Sequence, residues 1–498
     1  MNTRRNLKGM LIVFCAMFVA LCVYLVYIVN AYGMRWFTSP YNTRLDAKKS
    51  NVVAGAILDS SGKALVSSDK EGKRVYIDDS SIRRATAHVV GDDKGQTLGA
   101  ESFFSKYLLG FDQNIFDRVT QAIAGEKTYG SNIRLTIDSA LSDTAYHALG
   151  DKNGAVVVLN YKTGEILASV SKPTFDPKYM QEYLDGKREL DDGALVNRVN
   201  SGKYTPGSVF KIITATAALR YLPGVTERTF TCDGPLAFDA KSGKYLPDVH
   251  ITAKQDAENK KTSGAGMSGE YKVVRDYNGE YHGELDLKTA FQKSCNHVFA
   301  QLAVEIGADK LYKTARDLGV GEDFIFTDIV TAMSTFEKAD SDVDTAWSGV
   351  GQYKDIMTPL HMCMIVSAIA NGGVVVEPKL LKDVISVTGV STYTYTKNTY
   401  KTMFTKAESA LLKEYMIAVV EKGTGRNAKV SGVTVAGKTG TAEVGSGDDK
   451  PNAWFVGFVE DDEHPLAVCV VVEKGGSGGS NAAPIAGTVL KKAIALGY

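Results

Sequence analysis

The chain has 498 residues, 44% of them hydrophobic and 23% charged, enough apolar material for two or three packed units rather than a disordered polymer. Lys+Arg and Asp+Glu both number 57, so net charge is zero and the basic excess that polyanion binding needs is missing, which argues against nucleic acid as a partner.

Residues 1–9 carry Arg4, Arg5 and Lys8 and read as a short cytoplasmic tail. An unbroken apolar run follows over 10–29, long enough as a helix to cross a hydrocarbon layer of about 30 Å. Tyr24, Tyr27, Tyr32 and Trp36 gather at its far end as interfacial aromatics do. The run exceeds the core of a secretory signal and no clean small-x-small cleavage site follows, so residues 10–30 read as a retained anchor. Positive charge does not orient it, because Arg35, Arg44, Lys48 and Lys49 stand on the other side.

Residues 31–150 mix short β-rich pieces (52–58, 74–77) with polar turns and a helical stretch near 101–109, and carry no chemical motif. They suit a small pedestal module that holds the next domain, 151–498, away from the bilayer. The stretch NIRLTI predicts a strand at 132–137 and an amphipathic helix follows at 139–149; AVVVLN-YKTG-EILASV predicts a hairpin. A long apolar helix is expected at 208–222, loops or an inserted hairpin over 232–283, and helices at 287–306 and 358–371. Three β-rich runs, VTVAGKTGTAEV, NAWFVGFVE and PLAVCVVVE, precede a closing helix. Sequential antiparallel strands packed by flanking helices, an α+β fold, are the simplest arrangement. Cys15 and Cys22 lie in the anchor; Cys232, Cys295, Cys363 and Cys469 are scattered without metal-type spacing and read as free buried thiols, a disulfide staying open.

Ser-x-x-Lys occurs four times, at Ser60/Lys63, Ser67/Lys70, Ser169/Lys172 and Ser208/Lys211, so context must choose. The first two sit in polar turn sequence and the third runs into Pro173. Ser208 follows Pro206-Gly207 and opens the apolar segment VFKIITATAALRYL, which places its hydroxyl in the positive field of a helix start with Lys211 on the same face. A lysine in such a helix needs a partner or a lowered pKa, and a neutral Lys211 could take the Ser208 proton. Standing alone, a capping serine with a snorkelling lysine explains the pair better.

Ser294-Cys295-Asn296 is the only Ser-x-Asn and heads the helical HVFAQLAVEI, where hydroxyl and carboxamide can face one cleft. Lys-Thr-Gly occurs at Lys162-Thr163-Gly164, in the hairpin turn and read as structural, and at Lys438-Thr439-Gly440, inside a strand where Gly440 lets a substrate backbone come close. Three weak motifs in the order Ser-x-x-Lys, Ser-x-Asn, Lys-Thr-Gly, roughly 85 and 140 residues apart, reinforce one another.

This set, with Tyr204-Thr205-Pro206-Gly207, Gly351-Gln352, Thr358-Pro359-Leu360, Thr441-Ala442-Glu443 and Trp454-Phe455-Val456-Gly457, resembles class B penicillin-binding proteins over about residues 150–498. Upstream, Gly55-Ala56-Ile57-Leu58-Asp59 resembles the family's segment after the anchor, although Ala54 replaces the usual arginine. The resemblance implies a penicillin-binding/serine β-lactamase-like domain outside the cell that cross-links peptidoglycan stem peptides and is trapped by β-lactams. It further implies Ser208 as nucleophile, Lys211 as base, Ser294 and Lys438 as proton relay and its electrostatic support, and Asn296, Thr439, Gly440 and Thr441 as substrate contacts. The backbone N–H groups of Ser208 and Thr441 would form the oxyanion hole. No cofactor or metal is implied; a membrane glycan polymerase is the expected partner. A D,D-carboxypeptidase and a non-enzymatic β-lactam receptor or scaffold stay open as alternatives; a class A β-lactamase lacks its Glu-x-x-Leu-Asn loop here.

Overall fold

The computed structural model describes residues 3–37, 52–111, 128–252, 271–444 and 450–498, together with 113, 255, 267 and 268. A helix spans Thr3–Phe37, and its segment Asn6–Val29 has a mean hydropathy of 2.8, apolar and long enough to cross a membrane. Leu11, Phe14 and Phe18 along it are exposed, an apolar surface that soluble monomers rarely carry.

The larger part is built on two sheets with helices around them. The first has five strands in the order Val435–Ala442, Asn452–Val459, Leu466–Val472, Gly154–Asn160, Ile166–Lys172, every neighbouring pair antiparallel. Val156, Val158, Val468 and Val470 enter one core with Leu141, Ala145, Val489 and Leu490. Val157, Leu159, Ala467, Cys469 and Val471 enter the other. Successive strand residues point to opposite faces, so strands covered on both sides must be apolar throughout. GAVVVLN and LAVCVVV are therefore unbroken apolar runs instead of alternating ones. Helices Ser139–Ala148 and Ala483–Ala495 cover the first face; Pro359–Ala370, buried at all 12 positions, covers the second. Thr358 accepts from His361 N at 3.3 Å and Pro359 occupies the first turn, so Thr-Pro-Leu is the start signal of that helix.

The second sheet has six strands, in the order Ser391–Thr394, Leu381–Ile385, Asn132–Leu135, Ile57–Leu58, Ala64–Ser68, Arg74–Tyr76. It is mixed: Ile57–Leu58 runs parallel to Asn132–Leu135 and the remaining pairs are antiparallel. It draws strands from both sides of residue 150, and Arg134 pairs with Asp383 across two of them. A second tie crosses the same divide. Arg83, on helix Ser80–Val90, holds both oxygens of Asp176 at 2.8 Å, with side chains only 5% and 1% exposed.

The span 232–283 contains Phe230–Cys232 paired with Gly283–Leu285 and a three-stranded sheet of Leu236–Asp239, Tyr271–Val274 and Met267–Ser268, so the inserted-hairpin reading holds there; residues 256–266 lie outside the described residues. The single helical pattern expected over 287–306 is two helices, Leu287–Lys293 and Asn296–Ile306. Between them Ser294 takes φ 61, ψ 35, a left-handed conformation that ends the first helix, and Cys295 caps the second by accepting from Val298 N. That break turns Ser294 and Asn296 sideways into a cleft.

Candidate active site

Gly207–Phe210 forms a tight helical turn that continues as helix Lys211–Tyr221, with Lys211 through Ala218 buried. Gly207 has φ 55, and a Cβ there would come within 2.7 Å of the Thr441 carbonyl. A side chain would be both strained and obstructed, so Pro-Gly before Ser208 is what lets this turn press against the Lys438 strand. Ser208 itself remains half-buried at the cleft edge.

Lys211 Nζ lies 3.1 Å from Ser208 Oγ, 2.6 Å from Asn296 Oδ1, 2.5 Å from the Ser294 carbonyl and 3.4 Å from Ser294 Oγ. Phe299 lies beneath it at 5.6 Å. Burial pushes its pKa down to about 8, against the opposing pull of Asp276. Lys438 Nζ donates to Ser294 Oγ at 2.7 Å and to the Thr439 carbonyl at 3.1 Å. Burial first, and then the charge of Lys211, hold Lys438 well below the usual lysine range. Two amines thus converge on one hydroxyl. Asn296 is engaged at both ends of its carboxamide, since Nδ2 donates to the Arg275 carbonyl at 2.9 Å.

Strand Val435–Ala442 is the edge of the five-stranded sheet. Thr439 and Thr441, two residues apart, both line the cleft. Thr439 Oγ1 shares a hydrogen bond with Thr424 Oγ1 at 2.5 Å, and Thr441 Oγ1 accepts from Gly478 N at 3.4 Å. The Thr441 carbonyl accepts from Gln352 Nε2 at 3.2 Å, so it points off the sheet edge. The N–H and C=O of one strand residue point the same way, which turns Thr441 N–H to the same open side. Gly440 faces elsewhere. A Cβ on it would lie 2.9 Å from the Pro206 carbonyl and 3.1 Å from Val209 Cγ1, so the room it leaves is taken by the chain's own Ser208 turn, where sequence pointed to a substrate backbone.

The cleft has a volume of about 550 Å³ and is walled by Ser208, Ser294, Asn296, Thr439, Thr441 and Gln352 among others. The competing motifs fall outside it. Ser60 bonds Tyr498, Ser67 lies on strand Ala64–Ser68 and not in a turn as expected, and Ser169 lies on buried strand Ile166–Lys172. Lys162-Thr163-Gly164 fills the hairpin turn, capped by Asn160 Oδ1. Trp454, in the Trp-Phe-Val-Gly run, donates to the Thr205 carbonyl at 3.1 Å and so braces the Ser208 turn. Sequence reasoning missed Thr424, Asp276 and His282, which stand in no motif and reach the cleft only through the fold. It also read the cysteines as scattered, whereas Cys232 and Cys295 meet at Asp276.

A half-buried serine beside a buried amine, facing the edge strand of a sheet, is the constellation of a serine acyltransferase. Residues 154–234 and 252–491 match the family model described as the penicillin binding protein transpeptidase domain. The peptidoglycan D,D-transpeptidase PbpA of Mycobacterium tuberculosis is 30% identical over 408 residues, covering 78% of this chain and 77% of the relative. MrdA, a peptidoglycan D,D-transpeptidase of Haemophilus influenzae, is 29% identical over 465 residues, covering 85% and 65%. Among solved structures, the ceftriaxone acyl-enzyme complex of penicillin-binding protein A from M. tuberculosis aligns with TM-score 0.75 at 28% identity, over 90% of this chain and 99% of that one. Its penicillin G acyl-enzyme complex aligns with TM-score 0.73 at 27% identity, over 89% and 99%. The chain belongs to the class B penicillin-binding proteins and is a serine-type D,D-transpeptidase.

Proposed function

We propose that the reaction runs through Ser208 on peptidoglycan stem peptides ending in D-Ala-D-Ala. The observation that carries this is the position of Lys211 Nζ, 3.1 Å from Ser208 Oγ, while its own N–H groups are taken by the Ser294 carbonyl and Asn296 Oδ1. A neutral Lys211 anchored by two N–H bonds directs its lone pair at the Ser208 hydroxyl. As Ser208 Oγ bonds to the penultimate D-Ala carbonyl carbon, its proton passes to Lys211. Ser294 Oγ, between Lys211 and Lys438, relays a proton to the departing amide nitrogen, and the terminal D-Ala leaves as an amine. The amine of a second stem peptide then attacks the ester, loses its proton to the same base and releases Ser208 with the cross-link made.

Ser208 N–H and Thr441 N–H hold the oxyanion, a donor pair whose loss of one member typically slows such reactions about 100- to 1000-fold. Thr439 and Thr441 hydroxyls receive the terminal carboxylate. Asn296 serves first to hold Lys211 and second to meet the donor's amide, and Gly440 contributes through its backbone alone. β-Lactams acylate the same oxygen.

Fluorescent penicillin should label wild type, Ser60→Ala and Ser67→Ala but not Ser208→Ala; labelled Ser208→Ala would sink the reading. Donor peptide with an amine acceptor should yield cross-linked product, and free tetrapeptide alone would mark a D,D-carboxypeptidase instead. The Asn6–Val29 helix supports a single-pass anchor with residues 1–9 cytoplasmic, 31–150 as pedestal and 151–498 outside. Protease added to spheroplasts should digest everything beyond the anchor. A membrane glycan polymerase, which the chain does not itself contain in 31–150, should co-purify from mildly solubilised membranes, and its absence would remove that partner.

A further inference from the structure

At the cleft wall, four side chains from three separate segments meet: Cys232 on strand Phe230–Cys232, Asp276 and His282 flanking the turn Tyr277–Gly279, and Cys295 at the helix break. One ligand atom from each lies within 4.8 Å of all the others. We propose that this cluster is a structural zinc site that fixes the Ser294–Asn296 segment.

The distances fit. Asp276 Oδ2 is 3.2 Å from Cys232 Sγ, 3.2 Å from Cys295 Sγ and 3.4 Å from His282 Nδ1, while Cys232 Sγ is 3.6 Å from His282 Nδ1. Metal–ligand bonds of 2.0–2.3 Å in a tetrahedron set ligand–ligand edges of about 3.3–3.8 Å. Both cysteines are buried, and the Asp276 and His282 side chains are 4% and 10% exposed. Asp276 Oδ1 has the Asn296 N–H, but without a cation its Oδ2, the imidazole and the two thiols share only weak S–H donors and one ring N–H, a poor exchange for their lost hydration. A divalent ion satisfies all four together.

Two sulfurs, one nitrogen and one oxygen in a closed four-point set are zinc's preference over the all-oxygen shells of calcium and magnesium. With four protein ligands the metal has no open position, so its role is structural. Outer contacts orient the ligands: His282 Nε2 faces Glu280 at 3.9 Å, and Asp276 Oδ1 accepts from the backbone N–H of Asn296. Cys295 lies between Ser294 and Asn296, so the ion would hold the left-handed Ser294 in place, and with it the two acceptors of Lys211.

The test is elemental analysis of the full chain, purified in detergent under reducing conditions and dialysed against metal-free buffer. About one zinc per chain is expected, and cobalt exchanged into the site should give visible d–d absorption with thiolate-to-cobalt charge transfer. His282→Ala should lower zinc content at least tenfold while His282→Cys, which restores a ligand, should keep it. Zinc-depleted chain should react with fluorescent penicillin about 10- to 100-fold more slowly, recovering on zinc addition. Less than a tenth of a zinc per chain with no cobalt spectrum would overturn the proposal, as would full zinc content in the Cys232→Ser/His282→Ala double variant. A Cys232–Cys295 disulfide in unreduced, freshly isolated protein would overturn it too. Metal content is read without penicillin, so failure of the Ser208 assignment would leave this result standing.

Discussion

Lys438 Nζ lies 2.7 Å from Ser294 Oγ, and Lys211 Nζ reaches the same oxygen at 3.4 Å. Burial lowers the pKa of both amines, and the charge of Lys211 lowers that of Lys438 further. The site therefore disfavours the charged form of both lysines.

That arrangement sets a pH dependence. Lys211 acts as a base only when neutral, and its pKa is pushed down to about 8, so the neutral fraction grows as pH rises. The second-order rate of acylation by penicillin should climb about tenfold per pH unit below that value and level off above it. Stopped-flow acylation across the range gives the curve; a rate independent of pH on both sides of 8 would contradict the role given to Lys211.

Thr439→Val keeps shape and removes the hydroxyl that faces Thr424 Oγ1 at 2.5 Å. Melting temperature should hardly move, because Thr439 sits at the cleft wall and its loss opens no large void. Acylation should slow by about 10- to 100-fold, the cost of one charge-assisted hydrogen bond to the substrate carboxylate. A D-Ala-D-Ala analogue lacking that carboxylate should react equally with both forms.

Gly440→Ala places a methyl 2.9 Å from the Pro206 carbonyl and 3.1 Å from Trp454 Cβ. The strand and the Ser208 turn must part, at a cost of about 1–3 kcal/mol. Denaturant melts and penicillin labelling should both fall; a variant with wild-type labelling and stability would show that the approach is not constrained.

Arg83→Met removes one partner of a buried bidentate pair with Asp176, leaving a carboxylate 1% exposed without its charge partner. Stability should fall by about 3–5 kcal/mol. Penicillin labelling of the folded protein should be unchanged, since neither Arg83 nor Asp176 lies in the cleft lining. The double variant Arg83→Met/Asp176→Leu should recover much of the loss.

The five-stranded sheet was legible because its strands are buried on both faces and so cannot hide their apolar runs; GAVVVLN, NAWFVGFV and LAVCVVV are strands in the structure. The partner of Asn132–Leu135 was not. Leu381–Ile385 pairs with it across 249 residues at Arg134–Asp383, and no local period announces such a contact. The helix expected over 287–306 hid its break for a related reason: a left-handed serine leaves the apolar spacing on either side intact. Ser208, Lys211, Ser294, Asn296, Lys438 and Thr439 were named from motif context and Thr441 from the family resemblance, and the fold gathers them around one cleft. Asp276 and His282 were passed over because their segment reads as polar loop.

The sequence by itself determined the local features: an apolar run long enough for a membrane, a buried helix starting at Ser208 with a lysine one turn on, and a Lys-Thr-Gly inside a strand. These depend on the spacing of neighbouring residues, which a linear text carries. Only the tertiary structure decided that Lys211 and Lys438 meet at the Ser294 hydroxyl, that Gly440 makes room for Pro206 and not for a substrate, and that two distant cysteines converge on Asp276. The distances that matter there, from 2.5 to 3.6 Å, join residues that packing brings together. Packing follows from the shape of the whole core, which no single segment contains.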